Sequence, residues 1–437
     1  MMKKIQRNSK TPRDFVSAPQ RPLSLAACSR VWAKIGILSF GGPAAQIALM
    51  HREIVTQRRW LSEHQFSNAL SFCMLLPGPE AMQLATYSGW RLHGVRGGLL
   101  AGGLFILPGA TVMLALAIGY VYFGAVGWAV SLFTGLKAGI SVIVLQALTK
   151  MAVRGLTHPM DWLVAIAGFI GIFFANVPFP LIIASAALYG FYQRQPSTDH
   201  TSVITLPATQ NTGLTLAQWL ALWWTPIFVI DFIVGSDQIA AIGYFFSQLA
   251  VVTFGGAYAV LAYMAQDVVG HLGWLQPNAM IDGLGLAEST PGPLILVTEF
   301  VGFLTAFHVG GLAYGIAGAV VALWATFIPC FLWIFVGAPY IEWLTDQPRL
   351  RGALAAIMAA VVGVIANLFL WFVLHILFTN LTIQNYGPIS LLVPDVTTAN
   401  HTVILIAMIC GALVFWRQAG LFTILVTSSA LGMILGG

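Results

Sequence analysis

Long apolar runs, interrupted by short polar patches, dominate the pattern along this chain. Residues 97–136, 300–341 and 352–394 contain no Asp, Glu, Lys or Arg. Each run is long enough for one or more membrane-crossing helices of ~20 residues. The lipid core offers no water to backbone N–H and C=O groups, so spanning segments must be helices or a closed barrel, and the short alternating strands of a barrel are absent. The pattern therefore predicts an all-α integral membrane protein.

The apolar pattern divides into thirteen candidate spans, of which ten to thirteen are expected to cross the membrane. Two of them, 66–90 and 280–303, contain Pro-Gly-Pro, which removes backbone donors, so these two are expected to be broken or re-entrant. The spans are 24–49, 66–90, 97–122, 125–149, 161–176, 178–193, 216–236, 240–265, 280–303, 310–336, 351–377, 401–416 and 418–435.

One phrase of the sequence occurs twice, and every matched pair lies 214 positions apart without a gap (253 − 39 = 214). Two Gly-Gly pairs and two Pro-Gly-Pro triplets fall in register, which a shared apolar bias does not explain. A duplicated membrane unit is the usual build of a secondary transporter. The matched runs are Ser39-Phe40-Gly41-Gly42 with Thr253-Phe254-Gly255-Gly256, Trp60-Leu61 with Trp274-Leu275, and Pro77-Gly78-Pro79 with Pro291-Gly292-Pro293.

The positive charges predict an orientation, because cytoplasmic loops are enriched in Lys and Arg. With the N-terminus inside, sixteen of the 20 Lys and Arg residues fall on the cytoplasmic side. Arg52, Arg58 and Arg59 fall outside, and Lys137 lies within a span. The result depends on the span at 216–236, which makes the number of crossings between the repeats odd. The second repeat is therefore expected to be inverted relative to the first.

Composition supports the membrane assignment, since the chain is 58% hydrophobic and only 8% charged, against about 25% charged residues in soluble domains. We expect a cytoplasmic basic tail (1–23), a first repeat (24–193), a linker with one connecting helix (194–239) and a second repeat (240–437). No Walker-type Gly-rich loop is present. We expect no cofactor and no nucleic-acid partner, and the pattern is compatible with a monomer or an oligomer.

The cysteines and histidines do not suggest a metal site. The four cysteines, Cys28, Cys73, Cys330 and Cys410, are scattered through apolar spans without a Cys-x-x-Cys pair. We expect them to be small buried residues rather than ligands. The nine histidines show no metal-ligand spacing.

The Pro-Gly-Pro elements predict an anion site inside the membrane. Proline is a normal first residue of a helix, so a new helix should begin near Glu80. Its free amides and positive dipole end would point back into the membrane. Broken half-helices that meet from inverted repeats form midplane anion sites in transporters. The alternative is a plain kink, with the Phe-Gly-Gly elements serving only close helix packing.

Charged residues beside the breaks are further candidates, because charge inside a membrane is costly and usually functional. Arginine forms paired hydrogen bonds with tetrahedral oxyanions, and a carboxyl group in a dry site could carry a coupling proton. Arg52 and Arg91 could instead be interfacial anchors, and Lys137 could pair with Asp231 structurally. The predicted path residues are Ser39, Gly41, Gly42, Arg52, Glu53, Pro77, Gly78, Pro79, Glu80, Gln83, Arg91, Thr253, Gly255, Gly256, Glu288, Thr290, Pro291, Gly292, Pro293 and Glu299.

These motifs resemble the chromate ion transporter family in its long-chain, two-domain form, over about residues 24–435. The resemblance implies efflux of chromate from the bacterial cytoplasm across the inner membrane, driven by the proton-motive force and giving chromate resistance. Sulfate, a near-isosteric dianion, is then the expected competitor. The resemblance is carried by Phe40-Gly41-Gly42-Pro43-Ala44, Met50-His51-Arg52-Glu53, the run 75–87 that includes Pro77-Gly78-Pro79-Glu80-Ala81, Thr253-Phe254-Gly255-Gly256-Ala257-Tyr258, and Thr290-Pro291-Gly292-Pro293-Leu294.

The residues alone indicate a secondary transporter for an anion, and only the resemblance names chromate. Uniport and proton antiport both fit the sequence. A transporter for another tetrahedral oxyanion and a passive channel are alternatives within transport. An integral-membrane enzyme is the alternative from another class, and it is disfavoured because no histidines at haem spacing and no cysteine cluster are present.

Overall fold

The computed structural model describes residues 24–193, 212–235, 237–341, 347–386 and 389–435. The predicted basic tail and residues 194–211 of the predicted linker lie outside the described residues. Within the described ranges the chain forms fifteen α-helices and one β-hairpin. They are α1 (Leu25–Leu38), α2 (Gly42–Met50), α3 (Glu63–Cys73), α4 (Glu80–Phe123), α5 (Gly127–Gly155), α6 (Pro159–Ala175), α7 (Phe179–Gln193), α8 (Thr212–Val229), α9 (Asp237–Val252), α10 (Ala257–Met264), α11 (Pro277–Ser289), α12 (Val297–Gly337), α13 (Pro348–Leu377), β1 (Leu381–Tyr386), β2 (Ile389–Pro394), α14 (His401–Phe415) and α15 (Leu421–Leu435).

The first repeat begins with two helix pairs that fold back on themselves. Helix α1 ends at Leu38, and α2 continues as a π-helix over His51–Gln57. Lys34 of α1 reaches Glu53 of this π-helix at 2.7 Å, which a straight continuation of α1 would not allow. The predicted span 24–49 is therefore two helices, because the chain reverses at a pair of glycines with positive φ, Gly41 and Gly42.

The second pair of the first repeat is α3 with the first part of α4. Phe72 of α3 lies beside Tyr87 of α4, with ring centroids 6.2 Å apart, so the two helices run antiparallel on either side of Pro-Gly-Pro. Helix α4 then reverses at His93 and Gly94, whose backbone is not helical. A Cβ added to Gly89 would lie 2.3 Å from the carbonyl oxygen of Gly97, which places the two parts of α4 back to back.

The second repeat shows the same order of turns. Phe245 of α9 packs on Tyr263 of α10, with ring centroids 5.6 Å apart. Gly283 of α11 packs against the ring of Phe300 in α12. Helix α12 reverses at Gly310–Gly311, as α4 does at His93–Gly94. Each repeat therefore contains two helical hairpins followed by one long helix.

The remaining helices pack through small residues, which let backbones approach closely. A Cβ added to Gly363 of α13 would lie 1.9 Å from the carbonyl oxygen of Ala165 in α6, and one on Gly190 of α7 would lie 2.2 Å from that of Gly352. Gly135 of α5 meets α15 in the same way. Helices α5, α6, α7, α13, α14 and α15 thus form a second bundle beside the helical hairpins.

The helices confirm the predicted class of a multi-pass helical membrane protein. Among the described residues, five segments are long and apolar enough to cross a membrane, and they include the connecting helix, Thr212–Phe232. The apolar helices α6, α7, α9, α14 and α15 are shorter. No strand was predicted between α13 and α14, yet β1 and β2 pair there as an antiparallel hairpin. Thr382, Ile383 and Val393 supply the β-branched residues that favour strands.

Candidate functional site

The breaks of the two repeats meet at one place. The N–H of Gly78 donates to the carbonyl oxygen of Thr253 at 2.8 Å, and the N–H of Gly292 donates to that of Ser39 at 2.7 Å. Ser39 matches Thr253 in the repeat, and Gly78 matches Gly292, so the two bonds are equivalent. We call residues 39–42, 77–80, 253–256 and 290–293 the central junction.

Local backbone chemistry explains why the chain opens at the junction. Gly78 and Gly292 have φ values of +112° and +91°, a region that favours glycine. Their flanking prolines have no N–H, so no helix can continue through the triplet. Long helices also press closely on the triplets, since a Cβ on Gly109 of α4 would lie 2.1 Å from the carbonyl oxygen of Pro291.

Four helices begin at the central junction and run outward from it. They are α2, α4, α10 and the short 3₁₀ turn Leu294–Leu296 that leads into α12. Helix N-termini carry free N–H groups and partial positive charge. Within the described part of the chain, the N–H groups of Ala81, Met82 and Tyr258 have no acceptor. The carbonyl ends that meet there, at Ser39 and Thr253, are already bonded to the opposite repeat. The free N–H groups at the junction are therefore available as hydrogen-bond donors to an anion.

Three carboxyl groups lie at or next to the junction. Glu80 is the first residue of α4, and its Oε1 lies 3.7 Å from where a Cβ on Gly256 would be. Glu288 is 6% exposed and accepts a 2.6 Å hydrogen bond from the hydroxyl of Tyr258. Glu299 lies in the first turn of α12, is 2% exposed, and has an Oε2 atom without a hydrogen-bond partner in the described residues. No cation forms an ion pair with any of these three groups in the described structure.

Two glutamines hold the broken backbone, and one of them was not among the predicted residues. Gln83 donates to the carbonyl oxygen of Pro77 at 2.7 Å, within one repeat. Gln46 donates to that of Gly292 at 2.6 Å, between the repeats. Sequence reasoning missed Gln46, although it is a polar residue within an apolar stretch one turn after the Gly-Gly pair.

The side-chain hydroxyl groups at the junction already donate hydrogen bonds to backbone carbonyl oxygens. Ser39 donates to the carbonyl of Ile35, Thr253 to that of Leu249, and Thr290 to that of Ala287. Such back-bonding satisfies carbonyls at the end of a helix. The backbone amides, rather than these hydroxyls, remain as donors for an anion.

Three predicted residues lie away from the junction. Arg52 is exposed on the π-helix that follows α2, and Arg91 is exposed just before the His93–Gly94 turn. Glu53 is 1% exposed and bridges Lys34 and Arg58. The structure therefore brings the Pro-Gly-Pro and Gly-Gly residues together with Glu80 and Glu288, but not the arginines.

The Glu53 carboxyl is held ionised by its neighbours. Burial acts to raise the pKa of Glu53, but the hydrogen bonds and positive charges of Lys34 and Arg58 outweigh it, so the pKa lies below its usual value. Because this carboxylate is already saturated by two cations, its arrangement is that of a structural clamp between α1 and the following π-helix.

Lys137 has a different partner from the predicted one. It forms an ion pair with Asp282 of α11 at 3.3 Å, and Asp282 also accepts a 2.9 Å hydrogen bond from Tyr120 of α4. Asp231 instead accepts a hydrogen bond from Tyr244. The predicted pairing failed because sequence isolation does not report distance, and the fold places α5 against α11.

The described residues contain no group of three or more His, Cys, Asp or Glu arranged to hold a metal ion. All four cysteines are buried, as predicted, and none is in a disulfide.

Comparison with known proteins gives consistent matches over most of the chain. The family model described as "Chromate transporter" matches residues 26–191 and 240–436. A chromate transport protein of Pseudomonas aeruginosa is 31% identical over 362 residues, which cover 82% of this chain and 83% of that protein. One of Cupriavidus metallidurans is 30% identical over 346 residues, covering 76% and 79%. A probable chromate transport protein of Synechococcus elongatus is 30% identical over 348 residues, covering 79% and 83%. No solved structure matches the chain significantly.

Proposed function

This chain belongs to the chromate transporter family, and from that premise we propose that it exports chromate from the bacterial cytoplasm. Export would be secondary active transport across the inner membrane, driven by the proton-motive force, and would give chromate resistance. A divalent anion that leaves a negative interior gains ~2.3 kcal/mol per charge per 100 mV from the membrane potential. Sulfate would compete, because it is a dianion of the same shape.

The observation that carries this proposal is the central junction. Four helix N-termini meet there, the carbonyl ends are bonded across the repeats, and several amides of α4 and α10 remain free. A tetrahedral dianion can accept several such N–H donors at once. A site made of amides alone binds anions of the same shape similarly, which is why sulfate is the natural competitor.

We further infer that the repeats (24–193 and 240–437) are inverted across the membrane and are joined by a linker with one connecting helix (194–239). The hairpins of the first repeat run from the junction toward the His93–Gly94 turn. Those of the second run toward the Gly310–Gly311 turn, and Tyr122 at the far end of α4 lies beside Phe307. We call these the basic end and the strand end, since the second also holds the β-hairpin.

The charges support one orientation of these ends. When each helix is traced outward from the junction, all described Lys and Arg residues except Lys137 lie toward the basic end. Because Lys and Arg are enriched on the cytoplasmic side, we assign the basic end and the N-terminus to the cytoplasm. This revises the predicted position of Arg52, Arg58 and Arg59, since antiparallel hairpins return them to the end from which α1 begins. The other described cations are Arg30, Lys34, Arg91, Arg96, Lys150, Arg154, Arg349, Arg351 and Arg417.

The predicted path residues then take separate roles. The backbone of the Gly-Gly and Pro-Gly-Pro elements would bind the oxyanion. Glu80, Glu288 and Glu299 would carry any coupling proton, because none of them forms an ion pair within the described residues. Arg52 and Arg91 would attract the dianion at the basic end, since exposed cations raise the local concentration of anions.

The proposal is tested by uptake of radiolabelled chromate into inverted membrane vesicles, with and without an energised membrane and with excess sulfate. We expect saturable, energy-dependent uptake that sulfate inhibits. Uptake of sulfate alone would identify the protein as a transporter of another oxyanion, and a rate that does not saturate would indicate a channel. No uptake above that of empty vesicles would refute chromate export.

Two variants test the residue roles in the same assay. Glu80→Gln and Arg52→Ala should each lower the initial rate at least ~tenfold, as expected for charged groups on an ion path. The matched control for Glu80→Gln is Glu63→Gln, which changes an exposed group of the same type, and that for Arg52→Ala is Arg52→Lys, which keeps a cation at the same position. Equal rates in test and control variants, at equal amounts of protein in the membrane, would contradict the assignment.

A further inference from the structure

The two repeats differ in the burial of corresponding helix surfaces: residues of α2 and α3 are exposed where their counterparts in α10 and α11 are buried. Asn68 and Ser71 of α3 are exposed, and Met74 is 54% exposed. The positions 214 residues later are Asp282, Gly285 and Glu288, and all three are buried. Helices α2 and α10 differ likewise, since Ala45 and Ala48 are exposed and their counterparts Ala259 and Ala262 are buried.

Helices α5 and α13 cover the second repeat. A Cβ on Gly285 would lie 2.5 Å from the side chain of Ile140 in α5, and one on Gly255 would lie 3.0 Å from Val361 in α13. In the first repeat, a Cβ on Gly41, the counterpart of Gly255, would meet only the Cβ of Ala45 in its own helix, at 3.2 Å. The same hairpin surface is therefore packed against helices in one repeat and open in the other.

The open surface does not have the composition of a lipid-facing one. Gly41, Ala45, Ala48 and Arg52 are spaced by three or four residues, so they form one exposed stripe along α2 and the π-helix. On α3 the exposed residues include His64, Ser67, Asn68 and Ser71. Lipid-exposed helix surfaces carry large apolar side chains, because unpaired polar groups are costly in hydrocarbon.

The buried surface carries a cluster of interacting polar side chains at the matching position. Asp282, the counterpart of Asn68, is 5% exposed and is held by Lys137 of α5 and Tyr120 of α4. This cluster joins the hairpin of the second repeat to both the second bundle and the first repeat. Asp282 is almost completely buried, so separating its carboxylate from Lys137 is costly, and the pair holds this surface closed.

We propose that the exposed surfaces of α2 and α3 line a water-filled route for a hydrated oxyanion, from the basic end to the central junction. The Lys137–Asp282–Tyr120 cluster closes the equivalent route from the strand end. The assignment of an anion to this route rests on the proposed function. The route adds Ser67, Asn68 and Ser71 to the residues that contact the anion on its way to the junction.

The route is tested by thiol labelling in a variant with all four native cysteines replaced by serine. Single cysteines are introduced as Ser71→Cys and Ser67→Cys on the open surface, and as Ile281→Cys at the buried counterpart of Ser67. Val320→Cys, an exposed apolar position of α12, is the control for a lipid-facing thiol. The probe is a charged, membrane-impermeant methanethiosulfonate added to inverted vesicles. Labelling needs the thiolate, which forms in water and not in lipid.

We expect Ser71→Cys and Ser67→Cys to react at least ~tenfold faster than Val320→Cys, because only water supports the thiolate, and Ile281→Cys to stay unreactive. Equal rates for Ser71→Cys and Val320→Cys would overturn the route. In right-side-out vesicles, adding Asp282→Asn or Tyr120→Phe should make Ile281→Cys reactive. If Ile281→Cys stayed unreactive in both variants, the proposed role of the Lys137–Asp282–Tyr120 cluster would be wrong. Neither measurement needs chromate, so failure of chromate uptake with the expected labelling would remove the substrate and leave the route.

Discussion

At the scale of single residues, the partner of a carboxyl group separates structural roles from proposed transport roles. Glu53 and Glu288 are both buried, and both were predicted as residues of the transport path. Glu53 is bound by two cations, while Glu288 receives only the hydroxyl of Tyr258. An ion-paired carboxylate keeps its charge and fixes geometry, whereas a carboxyl group without a cation can exchange a proton at lower cost. Residue type and position along the chain do not make this distinction.

Glu53→Gln should destabilise the protein by about 1–3 kcal/mol, because it removes charge-assisted hydrogen bonds and leaves Lys34 and Arg58 without their anion. The pKa of Glu53 is lowered by folding, so its contribution is fully present above the unfolded value of about 4.3 and is lost as the pH falls through the lower folded value. Thermal unfolding of the purified protein between neutral and acidic pH measures this contribution.

The difference between wild type and Glu53→Gln should therefore shrink toward zero in acid. Glu63→Gln is the matched control, because Glu63 is 71% exposed and pairs with His51 at the surface. Its effect should stay below about 0.5 kcal/mol. If the difference in unfolding free energy between wild type and Glu53→Gln did not depend on pH, the charge of Glu53 would contribute nothing to stability.

At the scale of elements, the turns within α4 and α12 decide the architecture. Gly94 and Gly311 have φ values of +59° and +72° with ψ values of −153° and −160°. This region is almost restricted to glycine. Each turn sends a hairpin helix back along its own continuation, so that Gly89 meets Gly97 and Gly302 meets Gly318. Without these turns, each Pro-Gly-Pro hairpin would lose the long helix against which it packs.

Gly94→Ala and Gly311→Ala should each cost about 1–3 kcal/mol, because a Cβ is disfavoured at these backbone angles. A Cβ would meet no atom within 4 Å at either position, so the loss would come from the backbone alone. Gly103→Ala, in the helical part of α4 and also in open space, should be neutral or slightly stabilising. Melting temperatures of the three variants provide the comparison, and equal values would contradict the strained turns.

The Pro-Gly-Pro element gives a second prediction at this scale. Gly78→Ala should abolish uptake and lower the yield of folded protein, since a Cβ would lie 2.9 Å from the sulfur of Cys330 at a φ of +112°. Gly78→Ala combined with Cys330→Ala removes that contact and should recover folding more than transport, because the backbone angle remains strained. Size-exclusion profiles report folding and vesicle uptake reports transport. Full recovery of both would mean that only the contact matters.

At the scale of the whole molecule, two equivalent hydrogen bonds join the repeats. The second bundle, however, covers the hairpins of the second repeat and leaves those of the first repeat exposed. The bonds from Gly78 to Thr253 and from Gly292 to Ser39 follow the symmetry of the sequence. Helices α5 and α13 break that symmetry, since both pack on the hairpins of the second repeat. A symmetric central junction with asymmetric packing around it is consistent with the proposed open route from one end and closed route from the other.

Exposed positions at the two ends should label from opposite sides of the membrane. Gln57→Cys and Val153→Cys mark the basic end, and Val396→Cys marks the strand end; all three positions are exposed. In the cysteine-free variant, an impermeant maleimide should label the first two in inverted vesicles and the third in right-side-out vesicles. Labelling of Gln57→Cys and Val153→Cys from opposite sides would contradict the fold-back of the first repeat.

The sequence by itself determined the helical membrane class, the duplication and the positions of the breaks. These follow from local chemistry, because lipid demands apolar helices and Pro-Gly-Pro interrupts a helix wherever it occurs. Chain reversal at 39–42, the role of Gln46 and the pairing of Lys137 with Asp282 were decided only by the tertiary structure. Each depends on which segments lie side by side, and apolar residues within a membrane carry little information about their neighbours because lipid and protein surfaces are equally apolar.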